Sequence, residues 1–228
     1  MPMLPGLPSV EITLRRSARA RRFSLRVSRL DGRVTLSLPL GAREAEALAF
    51  ARDQEGWIRQ ALATLPQHAV VGHGTLLPVE GARLMIREGA GRLVRIEGDS
   101  LLVPGDPAQV AVRVGAFLQV RARDRLAAAC DLHSRALGQP YSRLTLRDTR
   151  SRWGSCTSDG GLMFSWRLIL APPEVLDYVA AHEVAHLAEM NHSPAFWAVV
   201  ARLCPGYGPK RAWLKRHGQA LHGFRFAG

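Results

Sequence analysis

The sequence predicts an α+β protein with an antiparallel, β-rich N-terminal part and a mostly helical C-terminal part. Short runs that alternate apolar and polar residues recur through the first hundred residues, as is typical of half-buried strands. Longer segments rich in Ala and Leu with helical spacing dominate the remainder. At 228 residues the chain can form two small domains. We expect a β-rich domain with one helix over residues 1–104 and a second domain over residues 105–228.

In the N-terminal part, an Asp31-Gly32 pair lies between two alternating runs and predicts a hairpin, because such pairs supply the positive φ angles of a tight turn. An Ala- and Leu-rich stretch over residues 42–63 predicts one helix. Further short runs after Gly72 are expected to continue the same antiparallel sheet. The predicted strands cover residues 10–14, 23–27, 34–38, 76–79, 83–87, 93–97 and 101–103.

In the C-terminal part, Asp106-Pro107 predicts the start of a helix that ends at Gly138, with Gly115 as the place where so long a helix would break. Strands are predicted over residues 144–148 and 161–170, joined by a turn. Further helices are predicted after Pro172-Pro173, around Phe196-Trp197, and over residues 210–217.

The motif His182-Glu183-x-x-His186 carries the strongest chemical signal. Residues four apart lie on one face of a helix, so two imidazoles in this pattern can bind one Zn²⁺ from the same side. Glu183 stays within reach of a metal-bound water and is the candidate general base. His192 is the candidate third ligand, because Asn191 favours a left-handed helix end and Ser193-Pro194 begins a new helix.

The alternative interpretation is two surface histidines on an ordinary amphipathic helix. The run from Val175 to Leu187 is largely apolar, which predicts a helix that is buried on most sides. Imidazoles and a carboxylate in such a helix need partners, and a metal ion supplies them. Asp177 and Glu189 are candidates to orient a ligand imidazole, with a solvated helix face as the alternative.

The region from Trp153 to Leu214 resembles the YgjP-like metallopeptidases, predicted metal-dependent hydrolases related to the SprT-like zincins. The resemblance is carried by residues 153–156, 166–168, 177–187 and 191–193, by Phe196-Trp197, and by Pro205, Tyr207 and Trp213-Leu214. Family members often have Asn where this chain has Ser165, and Leu-Cys where it has Val184-Ala185.

The resemblance implies a zincin-like C-terminal domain with a small sheet beside the metal helix, and a zinc peptidase acting on a peptide or protein substrate. Tyr207 and Arg152 become candidates for stabilising the tetrahedral oxyanion. By analogy with zincins, the strand over residues 162–168 is the candidate to hold an extended substrate. Manganese, cobalt and nickel remain alternatives to zinc, although three imidazoles with an open position favour zinc.

The formal net charge is +12, and 29 of the 31 basic residues are arginines. One interpretation is attraction to nucleic acid, with a DNA-dependent protease or a non-catalytic metal-binding module as the corresponding alternative functions. The other is an Arg-rich composition spread over a solvated surface, with one local cluster between Arg15 and Arg26. Few aromatic residues are interleaved with the arginines, unlike in proteins that bind single strands.

Three cysteines at irregular spacing argue against a disulfide framework and favour a reducing cytoplasm. No run approaches the ~20 apolar residues of a membrane span. The proline-broken start lacks the basic region of a signal peptide. His133 is predicted to be structural or exposed, and His217 and His222 are predicted to be ordinary surface residues. Nothing in the sequence predicts the oligomeric state.

Overall fold

The chain forms two compact units, Met1–Gln67 and His68–Gly228, in a computed structural model. The structure describes residues 3–4, 9–28, 32–63 and 69–226. Helices and strands are both abundant, so the α+β prediction is confirmed.

The first unit contains a four-stranded sheet in the order β1-β2-β4-β3. Its strands are β1 (Met3–Leu4), β2 (Val10–Arg16), β3 (Ser24–Val27) and β4 (Val34–Leu38). Strands β3 and β4 pair antiparallel, as the hairpin prediction requires, although Asp31 lies outside the described residues. Strands β2 and β4 run parallel, so the sheet is mixed rather than purely antiparallel.

Two helices, α1 (Glu44–Asp53) and α2 (Glu55–Ala63), replace the single helix predicted for this unit. The chain leaves helical geometry at Gln54, whose backbone amide donates to the carbonyl of Phe50. Alternate residues of β2 and β4 pack with both helices into one apolar core, which includes Ile12, Leu36 and Ile58. The opposite face of the sheet is left polar.

The second unit begins with one short strand, which pairs with the last strand of the chain, and continues with a separate four-stranded sheet in the order β6-β7-β9-β8. The strands are β5 (Ala69–Val70), β6 (Leu76–Val79), β7 (Ala82–Glu88), β8 (Arg95–Glu97) and β9 (Ser100–Val103). This sheet does not continue the first one, and β7 and β9 run parallel. The boundary expected between residues 104 and 105 falls inside this unit, because Leu77, Ile86 and Leu101 share one hydrophobic core with the C-terminal helices.

A long helix, α3 (Val110–Leu137), crosses this core after a 3₁₀ turn at Pro107–Gln109. The Asp106 carboxylate accepts a hydrogen bond from a backbone amide of that turn, so the predicted start is confirmed. The helix ends at Gly138, which adopts a left-handed conformation with φ 80°. It runs unbroken past Gly115, which is buried.

The remaining elements form the layer that holds the His182-Glu183-x-x-His186 motif. They are β10 (Arg143–Arg147), β11 (Gly154–Cys156), β12 (Gly161–Ser165), α4 (Pro173–Ala185), α5 (Pro194–Leu203), α6 (Tyr207–His217) and β13 (Phe224–Arg225). Strand β12 lies between β10, which is parallel to it, and β11, which is antiparallel. Helix α4 packs against α3, α5, α6 and β11.

The segment after α6 is tied to the core, in contrast to the surface position predicted for His222. His222 is buried and stacks on Trp153 with a ring separation of 5.0 Å. Phe226 packs edge-on against Trp166 and lies against Gly115, where an added Cβ would meet its side chain at 3.3 Å. This close approach leaves little room for a side chain at residue 115, which explains why α3 carries a glycine there.

Arg167 fastens this segment to the core. Its buried guanidinium pairs with both carboxylate oxygens of Asp148, at 2.6 and 3.0 Å. It also donates to the carbonyls of Leu221 and Phe224. A planar donor with five N–H groups is suited to bind these four acceptor oxygens at once.

Among the described residues, no helix is both long and apolar enough to cross a membrane. The three cysteines are free thiols, and Cys130 and Cys204 are buried.

We predict that Arg167→Lys lowers the free energy of unfolding by about 2 kcal/mol, because an ammonium group cannot replace the forked pair with Asp148 and both carbonyl contacts. Urea unfolding followed by tryptophan fluorescence measures the change, since four of the five tryptophans lie in the second unit.

Arg143→Lys is the matched control. Its pair with Asp159 is exposed on both sides, and such pairs contribute about 0.5 kcal/mol or less. Equal losses from the two variants would contradict the role assigned to Arg167.

Candidate metal centre

Helix α4 carries the central motif in a buried position. It begins at Pro173 and ends at Ala185. Proline suits the first turn of a helix because it has no N–H group that would be left unpaired there. Nine of its side chains are buried, including Glu183. The prediction of a helix covered on most sides is therefore confirmed. His186 caps the C-terminal end in a helical conformation (φ −67°, ψ −15°).

The turn after α4 is held by side chains rather than by a left-handed residue. Asn191 has no positive φ, so that part of the prediction is wrong. Its side-chain oxygen instead accepts a hydrogen bond from the amide of Ser193 at 3.1 Å. The Ser193 hydroxyl in turn caps α5 by accepting from the amide of Phe196. Together these bonds bring His192 back toward α4.

The three histidines of the motif lie together. The Nε2 atoms of His182 and His192 are 3.1 Å apart. One ring nitrogen from each of His182, His186 and His192 lies within 4.8 Å of the other two. The His186 Nδ1 atom lies 2.9 Å from the Glu189 carbonyl, and this contact fixes the ring and leaves Nε2 as its free nitrogen.

The surroundings of His182 and His186 favour the neutral forms of their imidazoles. Burial, reinforced by the charges of His186 and His192, lowers the pKa of His182 to about 4. Burial also lowers the pKa of His186, although the Glu189 carbonyl acts in the opposite direction. Neutral imidazole is the form that binds metal ions.

Aromatic rings surround the imidazoles. Phe196 contacts all three, with ring separations of 4.9 Å to His182, 4.4 Å to His186 and 4.7 Å to His192. Trp197 lies 5.7 Å from His182 and 5.8 Å from His192. The buried Nδ1 of His182 has no hydrogen-bond partner. Packing, rather than a hydrogen bond to Nδ1, therefore sets the orientation of this ring.

Glu183 projects from α4 onto the edge strand β11. A Cβ placed on Gly154 would lie 2.5 Å from both Cγ and Oε1 of Glu183, so only glycine leaves room for this carboxylate. Burial raises the pKa of Glu183 to about 8, and the charge of Arg152 opposes the rise. Among the described residues, no group donates a hydrogen bond to the carboxylate, so it is available to a molecule in the site.

These residues fit a divalent metal ion. With metal–nitrogen bonds of about 2.0–2.1 Å in a tetrahedral site, two ligand nitrogens lie roughly 3.3 Å apart, and the two Nε2 atoms of His182 and His192 already approach this closely. A nearby cation would also favour the ionised form of the buried Glu183. Three imidazoles beside one carboxylate are the donor set of a borderline metal such as zinc.

The two candidate oxyanion stabilisers occupy different surroundings. The Tyr207 ring is stacked between Tyr178, at 6.0 Å, and Trp197, at 5.5 Å. Arg211 covers Trp197 with its guanidinium 4.5 Å from the ring centre. Arg152 is exposed, directly precedes the Trp153–Cys156 segment, and is close enough to Glu183 to influence its pKa.

Neither carboxylate proposed to orient a ligand does so. Asp177 lies 2.8 Å from Nε2 of His133, a buried histidine of α3, and this contact lowers the pKa of Asp177. The carboxylate of Glu189 makes no contact with the imidazoles among the described residues. Its backbone carbonyl provides the contact to His186 instead.

The candidate substrate strand also requires correction. Strand β12 is paired on both sides, with β10 and β11, so it has no free edge. The free edge beside Glu183 belongs to β11 (Gly154–Cys156).

The sequence analysis missed three features of the site: the close packing of Gly154, the contact of Phe196 with all three imidazoles, and the Glu189 carbonyl. Gly154 stands within the Trp153–Cys156 segment that was singled out for its resemblance, and a glycine inside a strand already indicates a close approach. A carbonyl contact leaves no trace in the side-chain pattern.

No curated protein sequence matches this chain. A crystal structure of the metallopeptidase zymogen of Pyrococcus abyssi abylysin is similar to part of it, at 22% sequence identity and a TM-score of 0.35, covering 43% of this chain and 93% of that one. Residues 21–217 match the YgjP-like metallopeptidase domain. Because this segment spans most of the sequence, the chain belongs to the YgjP-like metallopeptidase family.

Proposed function

We propose that this metallopeptidase is a zinc-dependent enzyme in which His182, His186 and His192 bind the metal and Glu183 is the general base. The observation that carries the proposal is the convergence of three imidazole nitrogens within 4.8 Å beside a buried carboxylate. A structural zinc site is usually closed by four protein ligands, whereas a catalytic one keeps a position open. Among the described residues, no fourth histidine, cysteine or carboxylate joins this cluster.

Zinc is favoured over manganese by the donor set, and over cobalt and nickel by its lack of a geometric preference. Manganese prefers oxygen ligands, and no carboxylate oxygen belongs to the cluster. Imidazole nitrogens in an enclosed site suit zinc, which has no geometric preference of its own and adapts to the positions that the protein fixes. When bound, zinc supplies Lewis-acid chemistry, lowering the pKa of a water molecule toward ~7 and polarising a carbonyl.

Glu183 is positioned to accept a proton from that water and to pass it to the leaving amine. Two properties support this role. The carboxylate has no hydrogen-bond donor of its own among the described residues, and its position is fixed by contact with Gly154. A purely structural metal site has no use for a buried carboxylate held in this way, and this argues against a non-catalytic module.

Arg152 is the better candidate for stabilising the oxyanion. It is an exposed cation whose charge already acts on Glu183. Stabilisation of this kind requires a donor aimed at the place where negative charge develops. Tyr207 is packed between two other rings, which makes a role in supporting Trp197 its simpler explanation.

We propose that an extended peptide substrate pairs with β11. Residues 153 and 157 each form backbone hydrogen bonds with the β12 side, through Trp153 O and Thr157 N. In an antiparallel pair these bonds alternate along the strand, so the N–H and C=O groups of Gly154 and Cys156 point to the free edge. Pairing there would place the substrate backbone along the strand against which Glu183 packs.

Metal binding and general-base catalysis can be tested with separate variants. His182→Ala should reduce the zinc content from about one per chain to near zero, because one of three ligands is lost. Glu183→Gln should keep the zinc and reduce kcat/KM for casein cleavage by about 10²–10⁴-fold, because the amide cannot accept the proton. Elemental analysis and cleavage assays on the same samples measure both quantities.

His217→Ala is the control, since His217 is exposed and outside the cluster. Full zinc content in His182→Ala would refute ligation by that residue. Undiminished cleavage by Glu183→Gln would refute its role as the base.

Gly154 acts as a positioning residue for the Glu183 carboxylate. Gly154→Ala should displace the Glu183 carboxylate, because the new methyl group would lie 2.5 Å from Oε1. We expect kcat to fall by about 10²-fold with zinc content unchanged, as is typical of a misplacement near 1 Å. Ser155→Ala in the same strand is the control and should leave kcat within about twofold of the wild-type value. If Gly154→Ala kept its kcat, the contact would have no catalytic importance.

Pairing of the substrate with the free edge of β11 can be tested at Cys156. Cys156→Pro removes one N–H from the free edge without removing a bond to β12. The value of KM for an extended peptide should rise about three- to tenfold, as expected for one lost hydrogen bond. Cys156→Ala keeps the backbone and controls for the side chain. A rise of equal size in both variants would show that the thiol, rather than the strand edge, contacts the substrate.

A further inference from the structure

The first unit has an uncovered sheet face of unusual composition. Side chains at every second position of β2, β3 and β4 form the apolar core, so the intervening ones share the opposite face. The strand register arranges that face in two rows, Thr13–Thr35–Arg26 and Arg15–Ser37–Ser24. Only hydroxyl and guanidinium groups are present in these rows, and one exposed carboxylate, that of Glu11, lies at the start of β2 on the same face. We call this surface the arginine–hydroxyl face.

Positive charge is concentrated on this side of the unit. Residues 11–28 contain six arginines and one acidic residue, Glu11. The loop between β2 and β3 adds Arg19, Arg21 and Arg22, which are all exposed. In contrast, residues 42–63, which form the two helices of the unit, contain three arginines and four acids. The sheet side is therefore strongly basic, and the helical side is close to neutral.

These arginines are available for a partner. Arg16 is used within the protein, since its guanidinium donates to the carbonyls of Leu40 and Ala42. Among the described residues, no carboxylate pairs with Arg15 or Arg26, or with the three arginines of the loop. Their charge is thus not neutralised by the unit itself.

We propose that the arginine–hydroxyl face and its loop bind the phosphate backbone of a nucleic-acid duplex. Arginine, serine and threonine side chains are those that contact phosphate oxygens most directly. Neighbouring strands lie about 4.8 Å apart, so Arg15 and Arg26, on the two strands flanking β4, are roughly 10 Å apart across the sheet. That spacing lets them reach different phosphates of one duplex while the central hydroxyls contact the backbone between them.

The face has no aromatic ring on which an unpaired base could stack. It carries no aromatic residue, and the nearest one, Phe23, packs against Phe50 at 5.7 Å on the core side. Proteins that hold single strands stack bases on exposed aromatic rings. The lack of stacking rings therefore favours a duplex over a single strand. Among its described side chains, the face also has no exposed apolar group with which to enter a lipid surface.

The test is a titration of the full-length protein with a fluorescein-labelled DNA duplex of mixed sequence, followed by anisotropy at several salt concentrations. Arg15→Gln/Arg26→Gln should weaken binding about tenfold or more and reduce the salt slope by about 2, since each phosphate contact contributes ~0.9. Single variants Arg19→Gln and Arg22→Gln should each reduce the slope by about 1. They test the proposal even if the double variant does not fold.

Arg43→Gln/Arg52→Gln is the matched control, because it removes the same charge from the helical side of the unit. It should change the affinity less than threefold. Equal losses in the control and in Arg15→Gln/Arg26→Gln would overturn the proposal. So would tighter binding to a single strand of equal length, or binding to phosphatidylserine vesicles without binding to the duplex. His182→Ala should bind the duplex normally, so this result is independent of the metal centre.

Discussion

The contact between Glu183 and Gly154 is the constraint on which the site depends. Gly154 is fixed by its pairing with Phe164 of β12, and Glu183 is fixed by a helix that is buried over most of its surface. The absence of a side chain at residue 154 lets the two elements approach until the carboxylate touches the strand. Because the imidazoles of His182 and His186 belong to the same helix, this one contact places them and the carboxylate relative to the strand edge.

Burial of ionisable groups determines the chemistry of the site in the second unit, whereas exposed positive charge distinguishes the first unit. Around the imidazoles, the apolar surroundings lower the pKa of His182 and raise that of Glu183, so ionisation is controlled by desolvation. In the first unit, guanidinium groups stay exposed to water and keep their charge. The net charge of +12 is therefore not a uniform property of the surface. It includes a local excess on one sheet face beside a nearly balanced pair of helices.

The sequence was most informative where local patterns decide the structure. Pro172-Pro173 and the largely apolar run after it predicted α4, and Asp106-Pro107 and Gly138 predicted both ends of the α3 segment. The convergence of His192 with His182 followed from turn residues, although Asn191 acts through its side chain rather than through a left-handed backbone.

What could not be predicted depends on pairing between distant segments. A strand's apolar pattern does not show which strands lie on either side of it, so β12 was mistaken for an edge. The parallel pairing of β2 with β4 was hidden for the same reason. The burial of His222 arises from a stack with Trp153, almost seventy residues earlier in the sequence, and the composition of the C-terminal segment gives no sign of it.

The parallel pair of β5 and β13 has a consequence for how the second unit can be used. Ala69, the first described residue of this unit, lies one strand spacing from Phe224, which is two residues before the last described one. The polypeptide therefore enters and leaves the unit at one place. A unit with adjacent ends can be joined to other segments, or reopened at a different loop, without disturbing its core. The geometry makes the second unit, which carries the three clustered histidines, a transferable module.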